Sequence, residues 1–401
     1  MKKIAAFFTA LILFFVTVIG IHFAVSSNLK TNSRGFGTWI NTYKDLSYAA
    51  IDQNLEDDTV MMMGSSEFQH GRKTPYHPTK IFRGMDMDVM CVGAAYNQCL
   101  SHAITLGSVA PELKSKKVIL ILSPSWFEKE GVKKNAFAVR FSETQYMALL
   151  KNPNLSPELK KKIAERSEEL LTKDPAMQEN VKRYNNLFLK GKINPVDKIY
   201  FYARKAFLNE KESVNINTVW KSTGKKQYEN YKKHITGEVP NWNELIVQAD
   251  ESFDKVSQDN PFHMRDKIYK KKFKPVLAKQ KGAMAQRQFT KDSPEYGDLD
   301  LFLQVCKESN IDCELILLPM NGYWYDYTGF NEQARSVLPG QIKAVSDKYG
   351  VNLVSFYDQE YTPGFLEDAF HPAGKGWTEI NEKAYEFYTK DKSKGKGSAS
   401  N

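Results

Sequence analysis

The sequence predicts an α/β fold: a doubly wound, mainly parallel sheet with a helical insertion and one N-terminal transmembrane helix. Three observations carry that expectation. Five short apolar runs, Thr59 to Met63, Asp88 to Val92, Lys117 to Leu122, Glu314 to Leu318 and Asn352 to Phe356, each give way to turn chemistry, as strands buried on both faces do. Helical patterns separate them, including Ala95 to Leu106, Leu299 to Ser309 and Glu332 to Tyr349, and Trp377 to Thr389 closes the chain. The segment Ile4 to Val25 contains no Asp, Glu, Lys or Arg.

That first apolar segment comes earliest in the chain. At a rise of about 1.5 Å per residue it is long enough to cross a hydrocarbon core of about 30 Å. A cleaved signal peptide is the competing reading, but such peptides have apolar regions of only about 7 to 15 residues. Ala24-Val25-Ser26 makes a weak cleavage site, so an uncleaved anchor is favoured. Lys2 and Lys3 precede the run, which keeps the N-terminus in the cytoplasm and places the chain beyond residue 30 outside. The expected organisation is an anchor over 1–30, an α/β domain over 31–390, and a tail over 391–401 too poor in apolar residues to fold.

In such a sheet, ligands collect beyond the carboxyl ends of the strands, so chemistry is sought there first. Between Phe127 and Pro294 the pattern changes to charged helical segments such as Ser156 to Leu171 and Gln178 to Leu189, an insertion over about 128–294 that forms a cap or side lobe. Its aromatic residues Tyr200, Tyr202, Trp220, Tyr228, Tyr231 and Trp242 are expected to pack that lobe.

The 401-residue chain is 42% hydrophobic and 26% charged, which suits a water-soluble globule and excludes both a disordered chain and a multi-span membrane protein. Its net charge of +9, with basic stretches at Lys160 to Lys162, Lys232 and Lys233, and Lys267 to Lys281, attracts polyanions such as anionic headgroups or a phosphate-rich wall polymer. Any single cluster also reads as a solvated helix face. Nucleic acid is disfavoured by the anchor and by the lack of zinc-finger or aromatic RNA-binding spacing. Cys91, Cys99, Cys306 and Cys313 form no Cys-x-x-Cys pair, so no metal site is expected, and buried thiols are as ordinary here as disulfides.

Strand Thr59 to Met63 runs directly into Gly64-Ser65-Ser66-Glu67, which puts two hydroxyls on a small turn at a strand's carboxyl end. A nucleophilic serine needs an exposed Oγ, a base within reach and backbone N–H groups nearby. The strand Asn352 to Phe356 leads on to Asp368-Ala369-Phe370-His371-Pro372. A carboxylate three residues before a histidine can orient the imidazole from within one loop, making His371 the candidate base and Asp368 its partner. Either motif alone is weak. A strand-end serine early and an Asp-x-x-His loop after the last strand together point to acyl transfer. His70 and His77 compete as bases but lack a carboxylate at that spacing, and His22, His102, His234 and His263 form no metal-ligand pattern.

This order resembles the SGNH (GDSL-like) hydrolase superfamily, in which the nucleophile is the third residue of a Gly-Asp-Ser-like turn. The resemblance implies Ser66 rather than Ser65 as nucleophile, with Gly93 after the second strand as an oxyanion donor. The third strand ends in Ser123-Pro124-Ser125-Trp126-Phe127 and lacks the superfamily's Gly-x-Asn-Asp, leaving Ser125 Oγ or a loop N–H to stand in for that donor. A narrower resemblance, to the DltD family, covers nearly the whole chain. It rests on the anchor, Gly64-Ser65-Ser66-Glu67-Phe68, the Ser-Pro-x-Trp-Phe strand end, Leu318 to Gly329 with its Tyr-Trp-Tyr-Asp-Tyr-Thr-Gly run, and Asp368 to Pro372 followed by Gly376-Trp377. Phe68 and Ser125 depart from the Leu and Gln of many members.

The DltD resemblance implies transfer of D-alanyl esters to lipoteichoic acid outside the membrane, beside a membrane-bound O-acyltransferase and a small peptide acyl carrier, without a cofactor. Tyr323 and Trp324 are expected to shape an acyl or acceptor pocket and Asp326 to hold an ammonium; a packed aromatic loop is the alternative. Hydrolysis of the same esters or thioesters would use the same acyl-enzyme. A non-catalytic scaffold recruiting carrier and membrane partners is the reading from a different class.

Overall fold

A computed structural model describes residues 2–25, 29–191, 194–225 and 237–396. The positions Tyr228, Tyr231, Lys232, Lys233 and His234, and residues 397–401 of the expected tail, lie outside them. Helix α1 (Lys2–Val25) spans about 36 Å at the α-helical rise and, among the described residues, is the one helix long and apolar enough to cross a membrane.

The five expected strands all form, as β1 (Thr59–Gly64), β2 (Asp88–Gly93), β3 (Lys117–Leu122), β4 (Asp312–Leu317) and β5 (Asn352–Ser355). They make one sheet in the order β2-β1-β3-β4-β5, with every pairing parallel. The apolar runs of β1 to β4 are continuous because both faces are covered, whereas the edge strand β5 is only partly buried. Met61, Met63, Leu120, Leu122 and Leu315 point into one core, and Val60, Met62, Ile119, Ile121 and Ile316 into the other. That alternation is the two-residue period of a strand. Burying each of these side chains fully contributes about 1.5–3 kcal/mol.

The first core is roofed by α2 (Cys99–Val109), which is buried along its whole length beneath α3 (Glu143–Lys151) and α8 (Glu295–Glu308). A Cβ at Gly107 would lie 2.8 Å from the Leu149 side chain, so glycine allows α2 and α3 to approach. The second core is closed by α10 (Gly374–Lys396), through Trp377, Ile380 and Ala384. This helix continues to Lys396, through the first residues of the segment read as an unstructured tail.

Among the described residues, the chain between β3 and α8 carries helices and no strand. Its aromatic residues divide: Trp220 is buried against Phe36 and Trp39, Tyr200 donates to Asn180 Oδ1 at 2.8 Å, and Tyr202 is exposed. The stretch Glu332 to Tyr349, read as one helix, breaks into Glu332–Arg335 and α9 (Leu338–Ser346), with Pro339 at the new start. Proline suits a first turn because that N–H has no helical acceptor anyway. All four cysteines are buried free thiols.

The chain leaves β1 toward β2, then returns across to β3 on the other side, so the strand order reverses between β1 and β3. The turn after β1 therefore stands at the crevice where such sheets bind ligands.

Candidate active site

The turn begins where β1 runs out. The Gly64 carbonyl accepts a hydrogen bond from His102 Nε2 at 2.8 Å. His102 is fully buried in α2, and burial pushes its imidazole down to about 4, so it is neutral and its proton sits on Nε2. Gly93 lies opposite Gly64 in the sheet, where a Cβ would stand 2.6 Å from both the Gly64 carbonyl oxygen and the Phe68 ring. The requirement for glycine there is steric.

The next two serines separate sharply. Ser65 Oγ donates to the Ala94 carbonyl at 3.1 Å, tying the turn to the chain after β2. Ser66 opens the single 3₁₀ turn Ser66–Gln69, half-buried, with its Oγ 2.9 Å from His371 Nε2. Glu67 folds back so that its carboxylate accepts from the Ser65 N–H. Burial pushes this carboxyl up to about 7, against the lowering effect of the Ser65 and Glu67 backbone N–H groups. Phe68 stacks on Trp377 at 5.9 Å and so fastens the turn to α10.

The second half of the site is a tight loop closed on itself. Leu366 and Pro372 bridge antiparallel, Glu367 N–H donates to the His371 carbonyl at 2.8 Å, and Asn321 N–H holds the Ala369 carbonyl at 2.9 Å. His371 Nδ1 lies 2.9 Å from each oxygen of Asp368, and Asp368 Oδ1 also accepts from the N–H groups of Phe370 and His371 at 3.1 and 3.0 Å. Burial alone would raise the Asp368 carboxyl, but the hydrogen bond and charge of His371 and the two backbone donors outweigh it and hold it below the usual carboxylate range. The ionised carboxylate fixes the proton on Nδ1. Nε2 is then an acceptor for the Ser66 hydroxyl.

Sequence spacing offered His70 only as a competing base and missed its carboxylate partner and its place against His371. Its ring stacks on that of His371, and its Nδ1 donates to Glu367 Oε1 at 2.8 Å. Arg265 Nε approaches the other Glu367 oxygen at 3.7 Å. No local motif could reveal a carboxylate 297 residues away. Glu67, by contrast, had a readable signal, since an acidic residue two positions after a turn can bond back to its backbone.

Two expectations need correction. Gly93 N–H donates to the buried Asp45 Oδ2 at 3.3 Å, and Asp45 pairs with the fully buried Lys44 at 3.2 Å, so this N–H is directed away from oxyanion duty. Asp326 is engaged in the scaffold: its two oxygens accept from Arg335 Nη1 at 2.8 Å and Tyr361 Oη at 2.6 Å, so its charge already balances the Arg335 guanidinium rather than standing ready for an ammonium. The surrounding aromatics are packing partners. Trp324 is buried edge-on against Phe262 and Phe273, and Tyr323 donates its hydroxyl to the Tyr361 carbonyl at 2.9 Å. Ser125 Oγ is 3.0 Å from Ser123 Oγ and lines a cleft of about 870 Å³ with Tyr96, Gln98 and Arg287.

His70, Asp368 and His371 also bring three ligand atoms within 4.8 Å of one another, but the arrangement suits no chelate. Imidazole lone pairs lie in their ring planes, and these planes are parallel and 3.6 Å apart at their centroids, so they cannot converge on one ion. Both nitrogens of His371 are already committed to Ser66 and Asp368.

Residues 36–389 match the family described as DltD protein. Protein DltD of Bacillus subtilis (strain 168) is 32% identical over 346 residues, covering 84% of each chain. Protein DltD of Staphylococcus aureus (strain NCTC 8325 / PS 47) is 26% identical over 80% of this chain and 78% of its own. Protein DltD of Lacticaseibacillus rhamnosus is 24% identical over 84% and 79%. With nearly its full length matched and a relative above 30% identity, this chain belongs to the DltD family.

Proposed function

We propose that the chain is an extracytoplasmic serine acyl-transfer protein of D-alanylation, carrying D-alanyl groups through an ester on Ser66 to lipoteichoic acid. The observation that carries this reading is the unbroken line from Ser66 Oγ to His371 Nε2 and from His371 Nδ1 to Asp368. Family membership supports the D-alanyl and lipoteichoic acid part.

In the first half-reaction the Ser66 proton passes to His371 Nε2 as Oγ attacks the carbonyl of an incoming D-alanyl ester or thioester. The tetrahedral oxyanion takes a hydrogen bond from the Ser66 N–H, which as the first of its turn has no helical acceptor. His371 then protonates the departing oxygen or sulfur. In the second half-reaction His371 removes the proton of a polymer hydroxyl, which attacks the Ser66 ester and releases the serine. The ionised Asp368 supports the imidazolium in both.

Helix α1 is the membrane anchor in this reading, with Lys2 and Lys3 cytoplasmic and the sheet outside. The acyl group must arrive already activated, which gives a role to a membrane-bound O-acyltransferase and a small peptide carrier as donors. Ser66→Ala tests the proposal in cells: D-alanyl ester on the polymer should disappear while the protein stays at its normal level. Unchanged ester content with that variant would leave only a scaffold role. Mass spectrometry of the wild type should find alanyl mass on the peptide containing Ser66, and a water-quenched adduct with no polymer product would make the protein a hydrolase.

A further inference from the structure

Beside the Ser66 site, on the side of His70, opens a second cleft of about 690 Å³. Its floor is the loop after the Ser66 turn and part of its wall is the segment around Arg265. The cations Arg72, Lys73, Arg265 and Lys267 line it, against the single carboxylate Glu367. Glu367 is itself satisfied by His70 Nδ1 at 2.8 Å and approached by Arg265 Nε at 3.7 Å. Arg265 Nε is buried with no hydrogen-bond partner among the described residues. The cleft therefore carries an excess of positive charge and an unfulfilled buried donor, within the size range of small-ligand sites.

We infer that this cleft is the acceptor subsite: it binds the phosphodiester groups of a polyol-phosphate chain and so delivers the neighbouring hydroxyl to Ser66. The inference rests on the acyl-transfer reading above and adds the place and chemistry of acceptor recognition. The cleft starts at His70, whose ring lies on His371, so a chain whose phosphates occupy it runs alongside the base. Contact with a lipid headgroup would use the same phosphodiester chemistry, but nothing would require it to abut the candidate nucleophile. Both cation types suit phosphates, lysine as a point charge on a flexible stem and arginine as a forked donor set.

The test uses the full-length chain in detergent, acylated with a D-alanyl thioester and then given a soluble glycerol-phosphate oligomer. Arg72→Gln with Lys73→Gln and Lys267→Gln removes three exposed charges, of which Arg72 alone also makes a long hydrogen bond, 3.4 Å from Nη1 to the Ile40 carbonyl. Formation of the Ser66 ester should stay within about twofold of wild type. The oligomer concentration for half-maximal transfer should rise at least about tenfold, and transfer to uncharged glycerol should not change. Salt should weaken oligomer use by the wild type and much less by the variant. An unchanged half-saturation value overturns the subsite, as does loss of binding to phosphatidylglycerol vesicles with oligomer use intact. Failure of the wild type to form any Ser66 ester would instead sink the acyl-transfer reading. Equilibrium binding of the oligomer to wild type and variant then judges the cleft by itself, and equal affinities reject it.

Discussion

The imidazole of His70 lies flat on that of His371, 3.6 Å between ring centroids and 4° between planes. Each ring is held by an acidic neighbour in the same loop, His70 by Glu367 and His371 by Asp368. His70 touches neither Ser66 nor Asp368 through its nitrogens, so it is a positioning residue that fixes the plane in which His371 Nε2 meets the Ser66 hydroxyl. His70→Ala should slow acylation of Ser66 by about tenfold to a hundredfold, the scale of a small misplacement of a reacting group. His70→Phe, which keeps a ring on His371, should restore much of that rate. Single-turnover kinetics checks both, and an alanine variant as fast as wild type removes the positioning role.

Asp368→Asn separates tautomer control from packing. The amide keeps the shape of the carboxylate but no longer holds the proton on Nδ1. Acylation should fall by about 10³–10⁴, while melting temperature changes little because the loop keeps its backbone bonds. A loss under tenfold would mean that Asp368 does not orient the base.

Two buried groups beside Ser66 make stability depend on pH in opposite directions. Burial raises Glu67 from 4.5 to about 7 in the fold, so its contribution is fully present below pH 4.5 and is lost as pH rises through 7. Burial lowers His102 from 6.5 to about 4, so its contribution is present above pH 6.5 and is lost as pH falls through 4. Each effect amounts to about 3 kcal/mol across its window. Unfolding of Glu67→Gln measured from pH 4 to 8 should show a flatter decline toward neutral pH, and His102→Gln a flatter decline toward acid. Curves parallel to wild type would refute the assignment.

The loop that follows β4 is held by Arg335, whose side chain is fully buried with Glu360 on one edge and Asp326 on the other. Glu360→Leu leaves a buried cation without its main partner and should cost about 3–5 kcal/mol in unfolding experiments. Asp326 is 45% exposed, so Asp326→Asn should cost about 1 kcal/mol or less and leave transfer within twofold. Loss of transfer at normal stability would return Asp326 to the substrate site.

The sequence by itself determined the parts of this protein that depend on local pattern. Short apolar runs specified five strands, four of them continuous because they are buried on both faces and the fifth a partly exposed edge. An uncharged run of sufficient length specified α1 as a helix long and apolar enough to cross a membrane. Ser66, Asp368 and His371 were legible because a strand-end turn and an Asp-x-x-His loop are short-range arrangements. Tertiary structure alone decided what depends on which distant groups share a small volume. It set His70 on His371 and Glu367 under His70, although 297 residues separate that pair. It turned the Gly93 N–H toward Asp45 and gave the Asp326 carboxylate to Arg335, so that two residues with suitable chemistry for the site serve the scaffold instead. The physical reason is that a buried donor or charge must find a partner wherever the fold brings one near, and sequence spacing carries no record of that competition.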